Sequence, residues 1–202
     1  MTALPRDDAA PLAGGAGVND QNSHTDGSTL NAARDLIARG FAVIPVPHSA
    51  KAPTLTGWPS LRIGPDDLPR FFNGARGNVG VLLGEPSEWV VDVDLDHPRA
   101  VELADSYLPA TGMTWGRSSR PRSHRLYRLT RPAGTHKWAM RSGGMIAECR
   151  STGCQTIAPG STHPSGEAVR WDDDGEPARV DPSDLLACID ALADAVRTES
   201  GE

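Results

Sequence analysis

The chain is poor in cysteine, with only Cys149, Cys154 and Cys188 among its 202 residues. An odd number in no metal-binding spacing argues against a disulfide framework and against a cysteine zinc centre; it reads as reduced thiols in a cytoplasm. No apolar run approaches the ~20 residues of a membrane span, and the N-terminus has neither the basic start nor the apolar block of a secretory signal. A membrane partner is therefore not expected. The hydrophobic share is 38%, low for a globular domain. Part of the shortfall lies in residues 1–27, rich in Gly, Ala, Asp and Asn without an apolar period, which read as a flexible N-terminal tail. Positive charge is also in deficit: the net charge is −6, which excludes a surface that coats nucleic acid everywhere. Internal repeats are missing, and so is any Gly-rich phosphate loop of Walker or Rossmann spacing.

What is present is concentrated. The run Trp89-Val90-Val91-Asp92-Val93-Asp94-Leu95-Asp96-His97 alternates apolar and acidic residues at the period of a strand, with Val91, Val93 and Leu95 on one face and Asp92, Asp94 and Asp96 on the other. Carboxylates two apart on one face lie roughly 7 Å apart at Cα, close enough to converge on one or two divalent cations. Like charges stacked this way repel unless a cation sits between them. The expectation is a metal site for phosphate chemistry. Basic residues are gathered downstream, with Arg117, Arg120, Arg122, Arg125, Arg128 and Arg131 beside His124, His136 and Lys137. They read either as a local basic groove of a phosphate-handling site or as a solvated arginine-rich hairpin.

Helical periodicity marks Leu30, Ala33, Leu36 and Ile37, with Ser28 or Thr29 as cap and Gly40 as stop. Residues 41–46 read as a strand, 47–59 as a loop holding Lys51 and Trp58, and 65–72 as a short helix. Strands are expected at 78–84 and 89–94, and 78–96 as a hairpin carrying the carboxylates at one end. A helix over 97–108 has Pro98 in its first turn. Strands follow at 113–117, 123–129, 145–150, 155–158 and 168–171, and Asp181-Pro182-Ser183 caps a helix over 184–196. Helices and strands mix without a regular βαβ repeat, which favours an α+β sheet domain over a doubly wound one.

The ordered series of motifs resembles the bifunctional primase/polymerase (prim-pol) domains of the archaeo-eukaryotic primase superfamily, found in plasmid and phage replication proteins. It comprises Gly40–Pro45; Lys51, Pro53, Gly57 and Trp58; Asn78–Gly84; Val90–Asp94; His124–Arg128; and Ala158–Gly166. It covers about residues 29–180.

The resemblance implies an α+β prim-pol fold, with mixed and antiparallel sheets flanked by helices around an RRM-like catalytic module. The catalytic domain would occupy 28–197, with 198–202 a disordered end. It also implies template-directed nucleotidyl transfer that makes or extends primers on single-stranded DNA with Mg²⁺ or Mn²⁺. Asp92, Asp94 and Glu148 would be catalytic and hold two ions. Glu148 stands where the family more often has Asp, which demands about one more methylene of reach.

His124 and Ser123 would contact the triphosphate. Arg120–Ser123 replace the small residues that the family usually places before the histidine, and Arg122 is expected to add a phosphate contact. Arg150 would bind a phosphate or neutralise the acids. Lys51 would reach a phosphate or the template backbone, or be a solvated loop lysine. Ser161 and His163 lie in a turn that either contacts nucleotide or serves only its own backbone. Asp96 is expected to cap the helix after it. Trp58 is expected to anchor its loop in the core. The expected partners are a single-stranded DNA template, nucleoside triphosphates and a helicase domain or subunit. As an isolated domain the protein would be monomeric, in the cytoplasm of a bacterial or phage-infected cell. A metal-dependent nuclease on the same carboxylates, or a non-catalytic DNA-binding initiation domain, are the alternatives.

Overall fold

In the computed structural model, residues 28–73 and 77–202 are described; the expected tail at 1–27 lies outside them. Helix α1 (Ser28–Ala38) ends as read, with Gly40 taking φ 83°, a left-handed turn that glycine adopts without a Cβ penalty. Ala33 and Leu36 are its buried stripe. Strand β1 (Val43–Pro47) follows, and it tolerates Pro45 because it is an edge strand. A short α2 (Leu68–Phe71) leads to β2 (Gly77–Leu82). Strand β3 (Val90–Leu95) carries the acidic run and runs into α3 (Pro98–Tyr107). Next come β4 (Met113–Arg117), β5 (Arg120–Leu129), β6 (His136–Ala139) and β7 (Met145–Arg150). The chain closes with β8 (Gln155–Ile157), β9 (Arg170–Asp174), β10 (Ala178–Val180) and α4 (Pro182–Glu199).

The strands form two sheets, so the fold is α+β with mainly antiparallel pairing. The smaller has the order β1-β2-β8; the larger runs β6-β7-β3-β5-β4-β9, with β10 pairing parallel to the far end of β5. The expected hairpin over 78–96 is therefore corrected. β2 and β3 belong to different sheets, joined between them only by the bridge Gly84–Val90. Gly84 makes the change of sheet possible. Its φ is 75°, and a Cβ there would lie 2.1 Å from Thr152 Oγ1, so no other residue fits this turn. Glu88 and Trp89 also take positive φ, which delays the start of β3 to Val90.

Each face of the larger sheet has its own core. Val91, Val93 and Leu95 pack with Tyr127, Ala147 and Cys149 against Ala100 and Ala104 of α3 and Leu185, Ile189, Leu192 and Val196 of α4. The second core joins α1 and the smaller sheet to Met113, Trp115 and Leu126 of the larger one. Trp58 packs at its margin as a partly buried anchor, in line with its expected role. The acidic face of β3 thus looks into the space between the sheets. Beyond the expected helix end at 196, α4 continues to Glu199. The Glu202 carboxylate accepts the backbone N–H groups of Arg141 and Ser142, where 198–202 were expected to be disordered. No helix among the described residues is long and apolar enough to cross a membrane.

Candidate functional site

Cross-strand pairing assembles the site. Asp94 of β3 lies opposite His124 of β5 on one side and Glu148 of β7 on the other. Glu148 in turn lies opposite Lys137 of β6. A four-strand row His124–Asp94–Glu148–Lys137 results, with Asp92 one pleat away opposite Arg150. Directly opposed residues on neighbouring strands bring their Cβ atoms within about 5.5 Å, so these side chains interact.

Asp92 is fully buried. Its carboxylate is 3.0 Å from His124 Nδ1 and 2.6 Å from Arg150 Nη2. Burial pushes its pKa up, but the charges of His124 and Arg150 outweigh this and hold it at about 2. Asp94, partly exposed, lies 3.0 Å from the same Arg150 nitrogen and 3.6 Å from His124. Burial alone would lower the pKa of His124; Asp92 and Asp94 reverse this and raise it, which favours the imidazolium. With Nδ1 committed to a carboxylate, the ring orientation is fixed and Nε2 is left as its second N–H donor. Glu148 holds Lys137 Nζ at 2.6 Å. Trp115 stacks near the imidazole at 6.1 Å between ring centroids, and Trp171 meets Trp115 edge-on at 5.2 Å.

Asp94, His124 and Arg150 open into a cleft also lined by Lys51, Arg117, Ser123, Gln155, Thr156 and His163, among others. Lys51 and His163 are thus brought to the expected site. The Ser123 hydroxyl is buried without a hydrogen-bond partner. His163 is shaped by its own turn, where Nδ1 accepts the Ser165 N–H at 3.1 Å. Glu167 ties that turn to the β4–β5 turn: its carboxylate accepts the Ser119 N–H at 2.7 Å, the Ser119 hydroxyl at 2.8 Å and the Ser165 hydroxyl at 2.9 Å. Those bonds hold its pKa down at about 2.

Other expectations are redirected. Arg122 takes φ 52°, which turns its side chain to Asp105 and Asp173 at 3.6 and 3.4 Å, outside the cleft lining. Ser161 is buried and spends its hydroxyl on Val79, accepting the N–H at 3.0 Å and donating to the carbonyl at 3.2 Å. Its role there is to fasten the turn to β2. Asp96 is not the helix cap. His97 holds that position, in extended φ/ψ, and its Nδ1 accepts the Arg99 N–H at 3.1 Å. Half-buried Asp96 instead has its pKa raised by burial and by the charges of Asp94 and Glu148, which places it at the acidic corner.

Of the arginines in the basic segment, Arg117 lines the cleft. Arg117, Arg125, Arg128 and Arg131 pair with Glu167, Asp105, Glu88 and Asp181, because an acidic chain supplies local partners. Lys137, read only as one of the basic cluster, is the partner of Glu148; the four-residue β6 gives too short an alternation to reveal that pairing.

The three acids offer only oxygen, the ligand type of hard divalent cations. Among the described residues no three His, Cys, Asp or Glu side chains converge into a ready metal cage, as their carboxylates are turned to Arg150, His124 and Lys137. Comparison with known families matches residues 33–184 to the bifunctional DNA primase/polymerase N-terminal domain. The chain belongs to the prim-pol family. The match spans both sheets and every residue of the row across β5, β3, β7 and β6. Prim-pol membership implies a nucleotidyltransferase-type enzyme of the primase/polymerase class, acting in replication. No curated protein matches the chain.

Proposed function

We propose that the cleft is the site of template-directed nucleotidyl transfer, in which a 3′-hydroxyl attacks the α-phosphate of an incoming nucleoside triphosphate and pyrophosphate leaves. One observation carries this reading. Asp92, Asp94 and Glu148 share a face with His124, and Asp94 and His124 line a cleft whose other walls supply Lys51, Arg150 and His163. Acids for divalent cations and cations for phosphates lie within one space, as phosphoryl transfer requires.

The donor set fits Mg²⁺ or Mn²⁺ by its chemistry: oxygen atoms only, on adjacent strands, with Asp94 and Glu148 directly opposed. Two ions held by Asp92, Asp94 and Glu148 would stabilise the attacking and leaving oxygens. The protein's own groups do the rest. His124, its ring oriented by the contact between Nδ1 and Asp92, donates from Nε2 to the triphosphate. Lys51 and Arg150 neutralise phosphate charge. Ser123 supplies a hydroxyl, and Glu167 fixes the turn that presents His163. The sheet around β3, β5 and β7, backed by α3 and α4, serves as the RRM-like catalytic module. A single-stranded DNA template, a helicase domain or subunit, and a setting in plasmid or phage replication belong to the same reading.

The test is primer synthesis on a single-stranded DNA template with labelled triphosphates and Mn²⁺. Short oligonucleotides are expected, and Asp92→Ala with Asp94→Ala should abolish them. Degradation of the template without product would replace this reading by a nuclease; template binding without product, unchanged by the alanines, would replace it by a binding domain.

A further inference from the structure

The acids of the cleft are already matched by cations of the chain itself. One nitrogen of Arg150, Nη2, lies 2.6 Å from Asp92 Oδ2 and 3.0 Å from Asp94 Oδ2, bridging the two carboxylates. The rest of the guanidinium is loosely held. Nη1 reaches the Gln155 carbonyl only at 3.5 Å, and Nε is buried with no partner. A guanidinium pairs best through two parallel N–H bonds to one carboxylate or phosphate. Here it spans two carboxylates through a single nitrogen, with Nε unspent, and it lines the cleft beside Lys51 and His124. A divalent ion on Asp92 and Asp94 would meet this positive charge at contact distance, where like charges repel strongly.

We propose that Arg150 is the resident counter-cation of the acidic pair, which a divalent ion must displace, and that the displaced guanidinium then takes the phosphates of the incoming nucleotide. This rests on the reading of the cleft as a nucleotidyl-transfer site and adds an order to it. Without nucleotide the acids bind divalent ions weakly, because Arg150 competes. With nucleotide, Arg150 has a better bidentate partner and releases them. Metal and nucleotide are thereby linked through one side chain, and the linkage is reciprocal.

The experiment is a nucleotide-free Mn²⁺ titration of the whole chain, with free Mn²⁺ read by electron paramagnetic resonance. Arg150→Gln should bind Mn²⁺ about tenfold more tightly than wild type, as removal of a neighbouring positive charge dictates, and Arg150→Lys should stay near wild type. Equal or weaker binding by folded Arg150→Gln overturns the proposal. If Arg150→Gln does not fold, the wild-type protein decides. The ¹⁵N signal of the Arg150 Nε–H should shift on saturation with Mg²⁺ alone, and a signal that stays in place overturns the exchange. Primer synthesis by wild type, run in parallel, separates the two readings. Product with no change in Mn²⁺ affinity sinks the Arg150 exchange alone. Tightened affinity without product supports the counter-cation while the polymerase reading falls.

Discussion

The two faces of β3 are built from alternating residues of one short strand, yet they obey different physics. Val91, Val93 and Leu95 face α3 and α4 and are held by burial, which is non-directional and tolerant of small shifts. Asp92 and Asp94 face the cleft and are held by His124 and Arg150 at hydrogen-bond distance, where geometry and charge must both be right. One face supplies stability, the other carries the charged row of the cleft. The strand can serve both because its period of two keeps them apart.

Substitutions on the two faces should separate these roles. The largest effect is expected at Asp94→Ala: primer synthesis falls below detection while the urea unfolding midpoint changes little, since the residue is partly exposed and Arg150 keeps Asp92. A large drop in midpoint would mean that the cleft face is also structural. Ile189→Ala on α4 should do the converse, costing about 2–5 kcal/mol by cavity formation while the KM for nucleotide in the folded fraction is unchanged. His124→Ala should raise the KM for nucleotide severalfold with little loss of template binding; equal losses in both would remove its triphosphate role.

Glu167→Gln should have the smallest effect. Its carboxylate has a folded-state pKa of about 2 against an ordinary 4.5, so its stabilising contribution is present above pH 4.5 and is lost as pH falls through 2. The difference in midpoint between wild type and Glu167→Gln should be constant from pH 7 to 5 and close near pH 2. A difference that persists at pH 2 would show that the tether does not depend on the charge.

Patterns confined to a few residues were legible in the sequence. The alternation of β3, the stripe of α4, the Asp181 cap and the stop at Gly40 all depend on near neighbours, and the structure has them in place. What escaped depends on partners far along the chain or on single backbone angles. Whether β2 pairs with β3 is settled by the turn at Gly84 and its fit against Thr152. Arg122 leaves the cleft through one positive φ. Either Asp96 or His97 could accept an N–H at the start of α3, and it is His97 Nδ1 that takes the Arg99 N–H. Ser161 shows the same limit: a serine in a turn signals a hydroxyl, but not whether backbone or ligand receives it. Family resemblance points to His124 and Glu148, and the reading of Arg150 as neutralising the acids is matched by its contacts with Asp92 and Asp94; the pairing of Lys137 with Glu148 is not foreseen.

The row that joins His124, Asp94, Glu148 and Lys137 also constrains the folding of the sheet. Its members come from β5, β3, β7 and β6, so the site exists in no single segment. A slip of one residue by β7 would place Ala147 or Cys149 opposite Asp94 and turn Glu148 and Arg150 into the apolar layer beneath α4. Such a misregistered sheet would bury two unpaired charges, far costlier than a misplaced methyl group. The acidic corner therefore guards the pairing of the strands that create it, and only correctly registered chains can be both stable and equipped for chemistry.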